Sequence, residues 1–225
     1  MCVAQQLVAG DAPRAYVARC ARRYRAGAPL NSKSVGWHGD VLCIVRGSSL
    51  RGHKTTERAK MIPELIDSFE RTTAHIEQLV KDIPDAEMIV QPPGAPNHAA
   101  WTLGHLVYSC QAIAGEIGVN PWLPEDWESC FGYGSAPAKA AGSRYSSKSE
   151  LLSALADATQ RVRTALMAMD EGILAHPLPD QTMRDTLPTI GHALVQVLAA
   201  HTAYHAGQLA AWRRATGRAP VGVFI

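Results

Sequence analysis

The stretch AAHTAYHAGQLAAWRR, residues 199–214, decides how the chain is read. Around it, Ile190, Leu194, Val197, His201, Tyr204, Gln208 and Trp212 recur at spacings of three and four. An α-helix turns about 100° per residue, so these positions fall in one stripe. In a globular protein such a stripe faces the core. His201 stands in it and His205 follows four residues later, one helical turn on, along the same face. Buried polar groups need a partner, because leaving them without one is costly. The sequence therefore predicts a helix from near Pro188 to Gly217 that points two imidazoles inward. Gly217 suits the left-handed position just past a helix end, and Arg213 and Arg214 suit the negative end of the helix dipole.

Working outward, three more helices are legible. From Met61, the residues Ile62, Leu65, Ile66, Phe69, Thr73, Ile76, Leu79, Val80 and Ile83 form one face, with Pro63 in the first turn and Pro84 as the stop. The loop QPPGAPN (91–97) is dense in helix breakers. A second helix is expected from about Ala99 to Gly118, with Trp101, His105, Tyr108 and Ala112 on one face. The third opens with SKSE, residues 147–150, whose spacing is that of a capping box. It continues through Leu151, Leu155, Ala158, Val162, Leu166 and Met169 to Gly172. Between the second and third helices, residues 119–146 hold several glycine and proline turns and the aromatics Trp122, Trp127, Phe131 and Tyr133. That length suits a crossover, not a tight hairpin. The fold class expected is all-α, a four-helix bundle with one long crossover between helices 2 and 3.

Composition sets limits around this core. With 225 residues the chain is one ordinary domain with room for an appendage. The net charge of +2 hides a break: residues 1–60 have 11 Lys/Arg against 3 Asp/Glu, and residues 61–225 have 11 against 17. Residues 1–60 also lack any sustained period, so a basic, disordered extension is expected there, followed by the bundle at 61–225. A mis-assigned start, with Met61 the true first residue, is a second reading of that stretch. An arm that binds nucleic acid, or a targeting peptide, is a third. No apolar run is long enough to span a bilayer, and no secretory signal is visible. The five cysteines are scattered without a CxxC, which fits a reducing, cytoplasmic setting better than a disulfide framework.

The candidate chemistry lies in the histidines. The sequence contains no GxSxG, no phosphate-binding GxxxxGKS/T and no HExxH. A single HxxxH pair is a weak signal. A third histidine strengthens it: His105 lies in WTLGHLVY on the second helix, beside Trp101 and Tyr108, and Gly104 next to it would let another backbone come close. Two imidazoles from one helix and one from a facing helix can converge on a divalent ion in a bundle core. The same residues can equally be core imidazoles, each hydrogen-bonded to a neighbour. His98 falls near the start of helix 2, at the mouth of such a site. His192 points the other way, and His75, His176, His38 and His53 read as surface residues.

Two segments together, NHAAWTLGHLVY (97–108) and HTAYHAGQLAAWRRATGRAP (201–220), resemble the DinB/YfiT-like superfamily over about residues 61–225. The resemblance implies an up-down-down-up bundle in which a GHL motif and an HxxxHxGQ motif hold a divalent metal. It assigns the metal to His105, His201 and His205, with zinc or nickel the ions expected. Relatives include metal-dependent transferases of low-molecular-weight thiols and proteins known only as stress-induced. The resemblance carries over the fold and the metal site but no substrate; the leading expectation is an enzyme that passes a thiol to a small electrophile, and a homodimer is the expected assembly. Tyr108, Tyr204 and Gln208, one turn from the histidines, are substrate-orienting candidates or equally ordinary packing residues. A non-catalytic, metal-stabilised bundle with a stress-related or self-association role is the alternative. A membrane partner is not expected, and nucleic acid would concern only residues 1–60. Since every strong period and cap follows Met61, a chain starting there is expected to unfold in one cooperative transition, read by circular dichroism. A chain of residues 61–225 without helical signal would refute that boundary.

Overall fold

The structure, a computed structural model, describes residues 61–137 and 145–222. Residues 1–60, on which the expectation of a basic extension falls, lie outside the described residues. Within the described residues the protein is all-helical. Its one β-type feature there is an isolated antiparallel bridge between Pro177 and Thr189. No helix among these residues is long and apolar enough to cross a membrane.

Helix α1 (Met61–Val80) buries Ile62, Leu65, Ile66, Phe69, Thr72, Thr73, Ile76, Leu79 and Val80. This is the face read from the sequence, and Ile83 is buried just beyond it. Helix α2 (Ala99–Gly115) is capped by His98, whose Nδ1 accepts the Trp101 amide. A short helix α3 (Trp127–Phe131) lies in the crossover, where the sequence offered only turns and aromatics. Helix α4 (Lys148–Ala168) opens on a complete capping box: Ser147 accepts from the Glu150 amide while the Glu150 carboxylate accepts from the Ser147 amide. It stops at Ala168, before the expected Gly172, which instead sits in a 3-10 turn with its amide on Asp170.

The last helical stretch runs through three segments. Helix α5 (Ile190–Val195) passes into a π turn (Gln196–His201) and then into helix α6 (Thr202–Ala215). Gly217 follows with φ +77°, the left-handed end expected there. The π turn changes which residues face inward. The buried line is Ile190, Leu194, Leu198, Thr202, His205, Leu209 and Trp212, whereas Tyr204 is 59% exposed. A π turn fits an additional residue into one turn, so an unbroken α period places the middle of this stripe one position off.

The long helices form a ring in space: α1 packs on α4 and α6, and α2 packs on α4 and α6. End contacts lock it. The Lys148 amide donates to Asp85, just past the end of α1, and its ammonium donates to the Lys81 and Ile83 carbonyls. At the far end of α6, Arg213 is 5% exposed and does more than face the helix end. Its guanidinium donates to the Leu79 carbonyl at 2.9 Å, to Asp82 Oδ2 at 2.7 Å and to the Ala219 carbonyl at 2.6 Å. These bonds hold the Asp82 carboxyl down at about 2, chiefly through the Arg213 hydrogen bond.

A carboxyl whose folded pKa lies below its ordinary value adds stability above that ordinary value and loses it as pH falls through the folded one. Asp82→Asn is therefore expected to unfold at lower urea than the parent at pH 7, with the difference shrinking between about pH 4 and pH 2. Ser147→Ala should cost about 1 kcal/mol by the same measurement, through loss of the cap.

Candidate metal centre

Helix α2 brings His105 to the middle of the assembly, where it is 7% exposed. The π turn ends at His201, and His205 follows on the first turn of α6. Their side chains meet. His105 Nε2 lies 3.1 Å from His201 Nε2, and His205 Nε2 lies 3.0 Å from the same atom. All three ligand atoms fall within 4.8 Å of one another, a grouping that could hold a metal ion. Nitrogens on a tetrahedral ion with bonds of 2.0–2.1 Å are about 3.3 Å apart, so two of the three separations already match. Among the described residues no further His, Cys, Asp or Glu joins the group.

The donor set fits a cation. Three imidazole nitrogens crowd one point, and neutral imidazoles can offer each other few protons there. Burial keeps them neutral. It pushes His105 below its ordinary value, against a hydrogen bond to Phe131 that favours the charged form. Burial and then the neighbouring His105 bring His201 down to about 4. Burial, then His201 and His105, bring His205 down to about 3, while the Gln208 amide beside it pulls the other way. A ligand must be deprotonated to bind metal, and burial favours that form in all three.

The crossover builds one wall. The His105 Nδ1 is 2.7 Å from the Phe131 carbonyl oxygen. Trp101 stacks on the His105 ring at 4.6 Å between centroids and 10° between planes, and lies 6.4 Å from His205. The Trp101 indole N–H donates to Ser135 Oγ at 3.1 Å. Trp127 donates its indole N–H to the Gly104 carbonyl at 3.1 Å. Gly104 is needed here: a Cβ at that position would come within 2.1 Å of the Phe131 ring. What comes close at Gly104 is the Phe131 side chain of the crossover, not the second backbone that the sequence led one to expect.

The substrate-orienting candidates fare differently. Gln208 is half-buried beside His205 and accepts the Asn97 amide at 3.4 Å. Tyr204 is exposed and edge-on to His205, 5.4 Å between ring centroids. Tyr108 turns to Glu128: burial, then that carboxylate, raise its hydroxyl above the usual value. Tyr133 is 72% exposed and contributes no wall. His192 is exposed and paired with Thr189, as its position on the helix implied. Cys110 is buried, and burial pushes its thiol up to about 12, so it offers no nucleophile. The sequence reading missed the roles of Phe131 and Ser135. The crossover aromatics were a signal for the wall but not for its hydrogen bonds.

Described residues that are all-helical, with a histidine from α2 facing an HxxxH pair on the last helix, define the class. The chain belongs to the DinB superfamily, whose family model matches residues 68–209. No curated protein matches the sequence.

A histidine held below its ordinary value stabilises the fold above that value, and the contribution is lost as pH falls through the folded one. The metal-free protein is thus expected to lose stability as pH drops from about 6.5 toward 4 and 3. His201→Gln with His205→Gln should flatten that decline in urea unfolding followed by circular dichroism. An unchanged slope would show that other groups govern it.

Proposed function

We propose that residues 61–225 form an up-down-down-up four-helix bundle in which His105, His201 and His205 hold a divalent metal and serve transfer of a low-molecular-weight thiol to a small electrophile. The observation that carries this reading is the convergence of three Nε2 atoms from two helices. End contacts support the topology. Arg213, late in α6, reaches Leu79 late in α1, which suits parallel helices. Lys148, at the start of α4, reaches Ile83 past the end of α1, which suits antiparallel ones. Asn97, before α2, reaches Gln208, midway along α6 and late in the continuous helical stretch from Ile190, again antiparallel.

A divalent ion with three neutral ligands would supply undiminished positive charge, which favours the thiolate form of a thiol and its attack on carbon. The residues around it do the rest. Trp101, stacked on His105, offers an apolar wall, and Gln208 and Tyr204 lie beside His205 as substrate-orienting candidates. His201 is less buried than its two partners, and the protein supplies three ligand nitrogens. That supports a site with an open position over an enclosed structural one, which takes four protein ligands.

Metal content of the purified full chain, by elemental analysis, is the direct test. His105→Ala should abolish it, as should His201→Ala with His205→Ala, while most helicity remains because the apolar stripes are intact. His192→Ala should bind metal like the parent. Consumption of a small thiol in the presence of epoxides or alkyl halides should fall to background in the two metal-free variants. A parent protein that binds metal but consumes no thiol would leave the site standing and defeat the transferase assignment.

A further inference from the structure

We propose that the crossover segment 127–135 positions His105 for ligation by fixing both its tautomer and the plane of its ring. The proposal rests on the metal reading above. A neutral imidazole has one proton, on Nδ1 or on Nε2. The His105 Nδ1 faces the Phe131 carbonyl oxygen at 2.7 Å, and a carbonyl only accepts. The proton therefore sits on Nδ1, and Nε2 turns a lone pair toward His201 and His205. The opposite tautomer would set two lone pairs against each other and leave a buried carbonyl without a donor. It would also aim an N–H at His201 Nε2, 3.1 Å away, and so close the cluster on itself with no ion.

The accepting carbonyl is free because Phe131 is the last residue of α3, where end carbonyls have no intrahelical donor. It reaches His105 because Gly104 lets the Phe131 ring lie on the α2 backbone, and because Trp127 is bonded to the Gly104 carbonyl. The ring plane is set by Trp101, which Ser135 pins while itself donating to the Cys130 carbonyl at 3.1 Å. His201 and His205 lack this support: the Nδ1 atom of each is buried without a hydrogen-bond partner. One ligand is held in advance and the other two adapt to it. In metal sites, partners of this kind at a ligand's second nitrogen typically change affinity 10–100-fold when lost.

The test is long-range proton–nitrogen NMR on the metal-free, nitrogen-15-labelled full chain at pH 7.5, with Zn²⁺ titrated separately against a competing chelator. The parent should show His105 protonated at Nδ1, assigned by its absence from His105→Gln. Gly104→Ala, which displaces Phe131, should give the Nε2–H form or a mixture and weaken Zn²⁺ binding at least about tenfold. Adding Phe131→Ala removes the ring, keeps the backbone carbonyl, and should restore the Nδ1–H signature. Ser135→Ala should keep that tautomer while weakening Zn²⁺ by a smaller factor. An Nε2–H tautomer in the parent overturns the proposal, as does Gly104→Ala with parental tautomer and parental Zn²⁺ affinity. If Gly104→Ala does not fold, the parental tautomer and Ser135→Ala decide the matter. An Nδ1–H parent that binds no Zn²⁺ upholds the tautomer lock and overturns the metal reading instead.

Discussion

From Ala99 to Val107, α2 turns no face to solvent, and this burial governs the rest of the structure. A helix enclosed on all sides must be covered by more than two neighbours. Helices α4 and α6 cover part of it, and the crossover supplies the rest through Trp127 and Phe131. Enclosure also removes water from His105, which is why its imidazole stays neutral and why each of its nitrogens must answer to a specific neighbour.

The histidine cluster is then asymmetric by construction. His105 sits on a rigid, packed element with its outer nitrogen engaged. His201 and His205 sit around a π turn, on a helix whose outer face is open enough to leave Tyr204 exposed. Irregular helical turns of this kind often accompany functional sites. Here the turn shifts the inward stripe of α5 relative to that of α6, while His201 and His205 keep the one-turn spacing of a regular helix.

Much of this was legible in the sequence, for a physical reason. Strong amphipathic periods, as in α1 and α4, tie residue identity to burial directly, and the capping box at Ser147 is a local signal that needs no tertiary knowledge. The His201/His205 pair was legible because an HxxxH spacing puts two imidazoles on one helix face by helical geometry alone; His105 joined it through the resemblance of its GHL motif. The failures share a cause. Tyr204 was placed inward because a 3.6 period was carried through a turn that does not keep it. Arg213 read as a dipole partner, since nothing local reveals that Asp82 and the Leu79 carbonyl wait on another helix. Phe131 acts through its backbone carbonyl, which every residue possesses and no sequence pattern marks.

The ring order of the long helices bears on how the molecule assembles. Neighbours in space are α1 with α4 and α6, and α2 with α4 and α6; of the consecutive long helices only α2 and α4, joined by the crossover, are principal partners. A chain of simple helical hairpins could zip up from local contacts. This one must close loops of many residues before its main interfaces exist, and such non-local closure slows folding at a given stability. His105 and His201 are separated by 96 positions along the chain. Their meeting thus belongs to the late stages of folding, and a nascent chain has no trio until its last helix has emerged from the ribosome.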